Sequence, residues 1–354
     1  MNESPLSIAL RLQAGACRHF GSPLYAELLS AAHASLGDGG PVERLLSSWV
    51  GDPLRGFLPL RLMGAVHERV LAGEAPELAR FYPSVGGDPG RPGAWRAFEA
   101  SVEAHGEALR PVLENFPQTN EVRRSAPLLA GFLVSAQRFG LPLRLLEIGA
   151  SAGLNLHFDR YRYDLGPHRW GDPRSPVHLC TRWHGPPPPL DAALCVTSRA
   201  GCDIAPIDVL DPARVRSLES YVWADQPERL TQLRAAIDVF RGKPARLDQA
   251  RAVDWLAREL RGEDPGVLRV VYHSSMWTYL SSDERAGIVS LLEESGARSP
   301  LAWLRHEDER GDAQMELLLR TWPGGESERL ARGHPHGSEV HWELGGGGGG
   351  GVCV

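Results

Sequence analysis

Between Leu143 and Arg160 the chain reads LRLLEIGASAGLNLHFDR. Leu143, Leu145, Leu146 and Ile148, four apolar residues in six, predict a buried strand. A turn of small residues follows, Gly149-Ala150-Ser151-Ala152-Gly153, and leads into a helix. Strand, small-residue turn and helix bring backbone N–H groups and a helix N-terminus close to a ligand. Three chemistries use such a turn. A dinucleotide site needs G-x-G-x-x-G, a spacing that Gly149, Ser151 and Gly153 lack. A nucleophile elbow needs G-x-S-x-G on a strand-to-helix turn, which Gly149 to Gly153 matches. Ser151 would then be the nucleophile of a serine hydrolase, with Asp203 or Asp208 as acid and His273 or His306 as base. That arrangement also needs an earlier strand whose loop supplies half of the oxyanion hole, and residues 1–140 offer no such strand. In the third, an acid (here Glu147) closes the apolar strand, and small side chains let the backbone approach a bound cofactor.

Other residues with chemical potential lie in three places. Pro117 to Arg124, PQTNEVRR, is a dense polar cluster ahead of an apolar helix. It reads either as a helix start capped by Thr119 or Asn120, or as a polar turn facing whatever Gly149 to Gly153 holds. His273-Ser274-Ser275-Met276-Trp277-Thr278-Tyr279 follows a β-branched strand. Near the C-terminus, His334, His336 and His341 have no acidic or cysteine partner at motif spacing, so no metal site is expected. Trp170, Trp183 and His184 sit in a Pro-rich insertion and suit a lid or an interface.

The elements that must position these residues follow from periodicity. Up to about residue 140 the pattern is helical: Leu24, Leu28 and Leu29, then Leu58, Leu62 and Val66, then Phe98, Val102 and Leu109 each share a face. Five to seven helices are expected there. Strands are predicted at 143–148, at 193–197 with an extension toward Cys202, at 245–248, 267–272 and 301–304, and finally at 313–321 and 339–344. Helices are predicted at 227–240, 253–260 and 281–296. A short helix is expected to close at Leu156 to Tyr163, with a hairpin around Val177 to Trp183 inside the insertion at 164–190. Alternating strands and helices imply a mostly parallel sheet covered on both faces, and the last strand pair an antiparallel edge. Ligands in such sheets bind outside the carboxyl ends of the strands, where the strand order reverses. The seven glycines from Gly345 to Gly351 predict a disordered tail over 345–354.

Composition narrows the function classes. A net charge of −6 argues against a nucleic-acid-binding surface. Five scattered cysteines without C-x-x-C spacing argue against a disulfide framework and suit a reducing cytoplasm. The first residues lack a basic region followed by a long apolar one, so no signal peptide is expected. The longest apolar run, 127–134, is too short to span a bilayer.

The stretch Leu145-Leu146-Glu147-Ile148-Gly149, with Ser151 and Gly153, resembles the first motif of the Rossmann-like (class I) methyltransferases, with Ser151 in place of the usual middle glycine. Gly201-Cys202-Asp203 resembles the acidic ending of that family's second strand. Residues 20–344 further resemble an uncharacterised bacterial family, domain of unknown function 2332. The resemblance lies in Gln118 to Val122 with Arg124, in Leu146 to Asn155, in Arg199, Gly201, Asp203, Pro206 and Asp208, in Trp223, and in His273, Ser274, Trp277 and Tyr279.

These resemblances imply an α/β fold, with a Rossmann-like methyltransferase sheet over 141–344, a helical N-terminal region over 1–140 and an antiparallel last strand. They imply an S-adenosylmethionine-dependent methyltransferase acting on a small-molecule acceptor. Glu147, Gly149, Ser151, Gly153, Asn155 and Asp203 would bind the cofactor, with the Asp203 carboxylate accepting from the ribose hydroxyls. Asn120, Glu121, Arg124, Ser274, Trp277 and Tyr279 would line the acceptor pocket, and His273 would act as base or orient the acceptor. A non-catalytic protein that keeps the fold is the alternative.

Overall fold

The structure, a computed structural model, describes residues 3–311 and 314–344. The glycine tail lies outside the described residues. The chain divides into two compact units. The first runs to Thr119 and also takes in Asp208–Thr231; the second comprises Asn120–Ile207 and the chain from Gln232 onward. The periodicity of the sequence divides the chain at about 140.

The first unit is helical. Its helices are Pro5–His19, Pro23–Ala34, Pro41–Ser47, Leu58–Leu71, Pro76–Ala79, Ala94–Leu113 and Pro212–Ser220. Proline stands at the start of six of them, where its fixed φ suits the first turn and its missing N–H costs nothing. The apolar stripes meet in one core that includes Leu24, Leu28, Leu62, Val66, Phe98 and Val102. His67 is fully buried and satisfied on both nitrogens, by the Ser220 carbonyl at 3.0 Å and Ser84 Oγ at 2.8 Å.

The second unit is built on an eleven-stranded sheet. Its strands are β1 Leu143–Ile148, β2 Arg162–Leu165, β3 His168–Trp170, β4 His178–His184, β5 Val196–Asp203, β6 Arg246–Gln249, β7 Leu268–Ser274, β8 Leu301–Glu307, β9 Met315–Trp322, β10 Ser327–Gly333 and β11 Glu339–Trp342. They lie in the order β3-β2-β4-β11-β10-β9-β8-β7-β1-β5-β6. The run β6-β5-β1-β7-β8 is parallel throughout, and β9, β10 and β11 continue it as an antiparallel meander. Strand order reverses between β1 and β7, as the central position of the first strand predicts.

Both faces of the parallel run are covered, and the period-2 alternation decides which residue meets which helix. Leu146, Ile148, Val271 and Trp303 share a core with Trp255, Leu256, Ile288 and Leu292, from helices Ala252–Glu259 and Ser282–Gly296. The opposite face carries Tyr272, whose ring meets Phe132 edge-on at 5.0 Å, and Phe132 in turn stacks on Phe158 at 4.1 Å. Helix Ser125–Phe139 brings Phe132, and a 3-10 helix at Leu154–Arg160 brings Phe158.

Several local expectations need correction. The strand around Val177 to Trp183 is not half of a hairpin: β4 pairs in parallel with β2 and with β11, and the hairpin is β2–β3. The expected helix up to Tyr163 gives way at Tyr161, and Arg162 already begins β2. Two final strands become three, because Ser327–Gly333, rich in charge and short of apolar alternation, pairs between β9 and β11. Among the described residues no helix is long and apolar enough to cross a membrane.

Candidate functional site

The turn after β1 is held in an unusual backbone shape. Gly149, Ser151 and Gly153 all have positive φ, at 67°, 53° and 68°. Glycine adopts this region freely; for serine it costs about 1–2 kcal/mol. The neighbouring strand holds Ser151 there. Asp203, the last residue of β5, accepts the Ser151 N–H through Oδ2 at 2.9 Å and the Ala205 N–H through Oδ1 at 3.0 Å. Ala150 N–H donates to the Cys202 carbonyl at 3.0 Å, and Ile207 N–H to the Ser151 carbonyl at 3.1 Å. The Ser151 hydroxyl is buried and has no hydrogen-bond partner among the described residues.

The glycines of this region have neighbours that explain them. A Cβ on Gly149 would meet Met276 Cβ at 2.8 Å, on Gly153 it would meet Leu247 at 2.8 Å, and on Gly201 it would meet Ala150 at 2.7 Å. Met276 thereby brings the segment after β7 against the turn after β1.

Glu147 lies one position before the strand end and is almost fully buried. Tyr272 donates its hydroxyl to Glu147 Oε2 at 3.2 Å. Burial, together with the neighbouring Asp203 charge, holds the Glu147 carboxyl well above the usual carboxylate range.

The polar cluster before helix Ser125–Phe139 serves this turn as well as the helix. Neither Thr119 nor Asn120 is the cap: Glu121 caps a short 3-10 turn, Val122–Arg124, by accepting the Arg123 N–H. Asn120 Oδ1 instead accepts the Leu154 N–H at 3.0 Å, the first amide after the turn. Asn155 donates to the Glu121 carbonyl at 3.4 Å, and its Oδ1 accepts from Ser125 Oγ at 2.8 Å. Asn120, Glu121 and Asn155 are all buried. Arg124 donates through Nε to the Pro335 carbonyl at 2.9 Å.

On the β7 side, His273 is fully buried. Its Nδ1 lies 2.6 Å from Glu307 Oε1, its Nε2 has no partner, and its ring stacks on Trp277 at 5.0 Å. Glu307 Oε1 also accepts the Met276 N–H at 3.0 Å. Ser274 pairs across to His306. Ser275, at φ 53°, forms the bend between β7 and a 3-10 turn at Trp277–Tyr279. Tyr279 is 57% exposed. Burial and the Arg124 guanidinium depress the His306 pKa from 6.5 to about 3, so its ring is neutral near pH 7.

Apart from Arg124, which reaches the Pro335 carbonyl, the predicted residues form two groups. Glu147, Gly149, Ser151, Gly153, Asn155, Asp203, Asn120 and Glu121 are joined by hydrogen bonds or chain continuity around one turn. His273, Ser274, Trp277 and Tyr279 form the other, with Met276 between them. Residue types alone do not reveal Glu307, which organises the second group. The predicted fifth strand stops at Leu304, whereas β8 continues for three residues and ends on that carboxylate.

Searches among curated proteins and among solved structures gave no match. One family model matches over residues 8–342, nearly the whole described chain. The chain belongs to that family, described as an uncharacterised protein conserved in bacteria, domain of unknown function 2332.

Proposed function

We propose that the protein binds S-adenosylmethionine outside the carboxyl ends of β1, β5 and β7 and transfers a methyl group to a small-molecule acceptor. One observation carries this reading. An acidic residue at the end of β5, Asp203, braces the positive-φ turn after β1 at the point where the strand order reverses. It supports the reading because the sequence resembles the Rossmann-like methyltransferases at these same two stretches.

The residues present fit such a cofactor. Each Asp203 oxygen accepts one backbone N–H and can accept a further donor, which suits ribose hydroxyls. The unpartnered Ser151 hydroxyl offers a polar atom at the same turn. Burial raises the Glu147 carboxyl above the usual carboxylate range, and a cation beside it, such as an amino-acid ammonium, would favour its ionised form. When bound, the cofactor supplies an electrophilic methyl group. The chain's part is alignment, which can contribute about 7–11 kcal/mol. Asn120, Glu121, Arg124, Ser274, Trp277 and Tyr279 would surround the acceptor. His273 is held at Nδ1 by Glu307 and stacks on Trp277, which would leave Nε2 to act as base or to orient the acceptor. The four described cysteines are all free thiols, in keeping with a cytoplasmic setting.

Titration calorimetry with S-adenosylmethionine and S-adenosylhomocysteine tests the reading. Binding of both is expected, and Asp203→Ala should abolish most of it while circular dichroism stays unchanged. No binding to either would refute the enzyme. A non-catalytic protein with this fold is the second reading, favoured by the side chains of Met276, Leu247 and Ala150 that already occupy the space beside the glycines. A serine hydrolase is disfavoured because Ser151 Oγ has no histidine partner.

A further inference from the structure

We propose that His184, Glu339 and His341 form a binding site for a divalent transition metal ion such as Zn2+, which staples β4 to β11. The site is independent of the methyl-transfer reading.

The sheet register builds it. β4 and β11 run in parallel, with His184 paired to His341 and Arg182 to Glu339. Residues two apart on a strand share a face, so Glu339 stands on the face that carries both imidazoles. On β4 that face is His178, Cys180, Arg182 and His184, alternating with buried Leu179, Thr181 and Trp183. Behind the histidines, Trp183 packs on Trp342 with ring centroids 5.5 Å apart, which fixes the register where the two histidines meet.

The ligand atoms already converge. The two imidazoles are stacked, 4.3 Å apart and 7° from parallel. Glu339 Oε1 lies 2.8 Å from His184 Nε2 and 3.5 Å from His341 Nε2. One ligand atom from each residue falls within 4.8 Å of the other two. Arg182 engages the other oxygen, Oε2, at 3.2 Å, and so leaves Oε1 to the histidines. Ligands about 2.1 Å from a tetrahedral Zn2+ are about 3.4 Å apart, a closure that small rotations of exposed side chains provide. Two imidazoles and one carboxylate suit zinc and its transition-metal neighbours better than calcium or magnesium. Three protein ligands leave a fourth position for water.

A second trio lies on the same face of β4: Asp164, His178 and Cys180. There two guanidiniums, Arg162 and Arg169, approach Asp164 at 3.8 and 3.7 Å, against the single Arg182 at Glu339, so the repulsion on a bound cation is greater. It serves as the internal control. The proposed site occupies the seam between β4 and β11, through which β3-β2-β4 joins the rest of the sheet. A metal there would raise the stability of that junction.

The test uses untagged full-length protein stripped with EDTA and titrated with Zn2+ by calorimetry. One equivalent should bind and raise the thermal midpoint. His184→Ala and His341→Ala should each weaken binding more than about 100-fold, since residues behind a metal ligand already cost about 10–100-fold. Both variants should match the unaltered protein's thermal midpoint in EDTA, which separates lost ligation from lost folding. His178→Ala should leave the affinity unchanged. Absence of Zn2+ binding, or binding that survives both His184→Ala and His341→Ala, would overturn the proposal.

Discussion

Ser151 shows how one residue can be tied to both stability and function. Its φ of 53° is a conformation that serine adopts at a cost, and its buried hydroxyl has no partner. Ser151→Gly should therefore stabilise the protein by about 1 kcal/mol, as read from the urea midpoint. A loss of stability would show that the hydroxyl has a role in the fold. Glu147 makes the opposite use of burial. Its folded pKa lies well above the ordinary 4.5, so the folded state holds the proton more tightly. That contribution is complete below about pH 4.5 and is lost as the pH rises through the folded value. Glu147→Gln removes the titration. Relative to the unaltered protein, its stability should improve progressively as the pH rises from 4.5 to 8, and denaturation curves across that range would test this. Neither residue's state follows from its type; both follow from what the neighbouring strand places beside them.

At the scale of elements, the loop after β7 is governed by the last residue of β8. Glu307 accepts from the Met276 backbone and contacts His273, all in a buried setting. Glu307→Ala leaves the Met276 N–H and His273 Nδ1 without this acceptor and should cost about 1–3 kcal/mol, the range for a buried polar group left unsatisfied. Chemical denaturation would measure the loss, and a cost under about 1 kcal/mol would show that the loop has another anchor. This link also marks the limit of what the sequence reveals. The parallel core strands were legible because Leu143–Ile148, Leu268–Tyr272 and Leu301–Leu304 are dense in apolar residues. The turn after β1 was legible because only small residues fit it. Asn120 was ambiguous because a side-chain acceptor serves a local cap or a distant amide equally well. β10 was missed because SERLARG carries three charges in seven residues, and its pairing is decided by the strands on either side. The partnership of His184 with His341 spans 157 positions, and only the parallel seam between β4 and β11 creates it.

For the whole molecule, the buried histidines set an acid limit. Burial and Arg124 depress His306 to about 3; burial and Arg199 depress His157 to about 4. Both rings stay neutral when folded but take up protons when unfolded below about pH 6.5. The stability they support is present above that pH and is lost as the pH falls toward their folded values. His306→Gln should make the fall in urea midpoint between pH 6.5 and 4 shallower. An unchanged slope would mean that the unfolded chain, or other groups, set the limit.

The position of β11 has a consequence for the order in which the chain is made. β2, β3 and β4 leave the ribosome well before residues 339–342, yet they join the main sheet only through that late strand. Until it arrives, β4 has an open edge bearing His178, Cys180, Arg182 and His184, and open edges invite pairing with other chains. The Arg182 charge and the polar side chains of that strand discourage wrong partners during the wait. The sheet is thus completed from inside, when the late strand joins β3-β2-β4 to strands such as β1 and β5 that flank them in the chain but lie across the sheet.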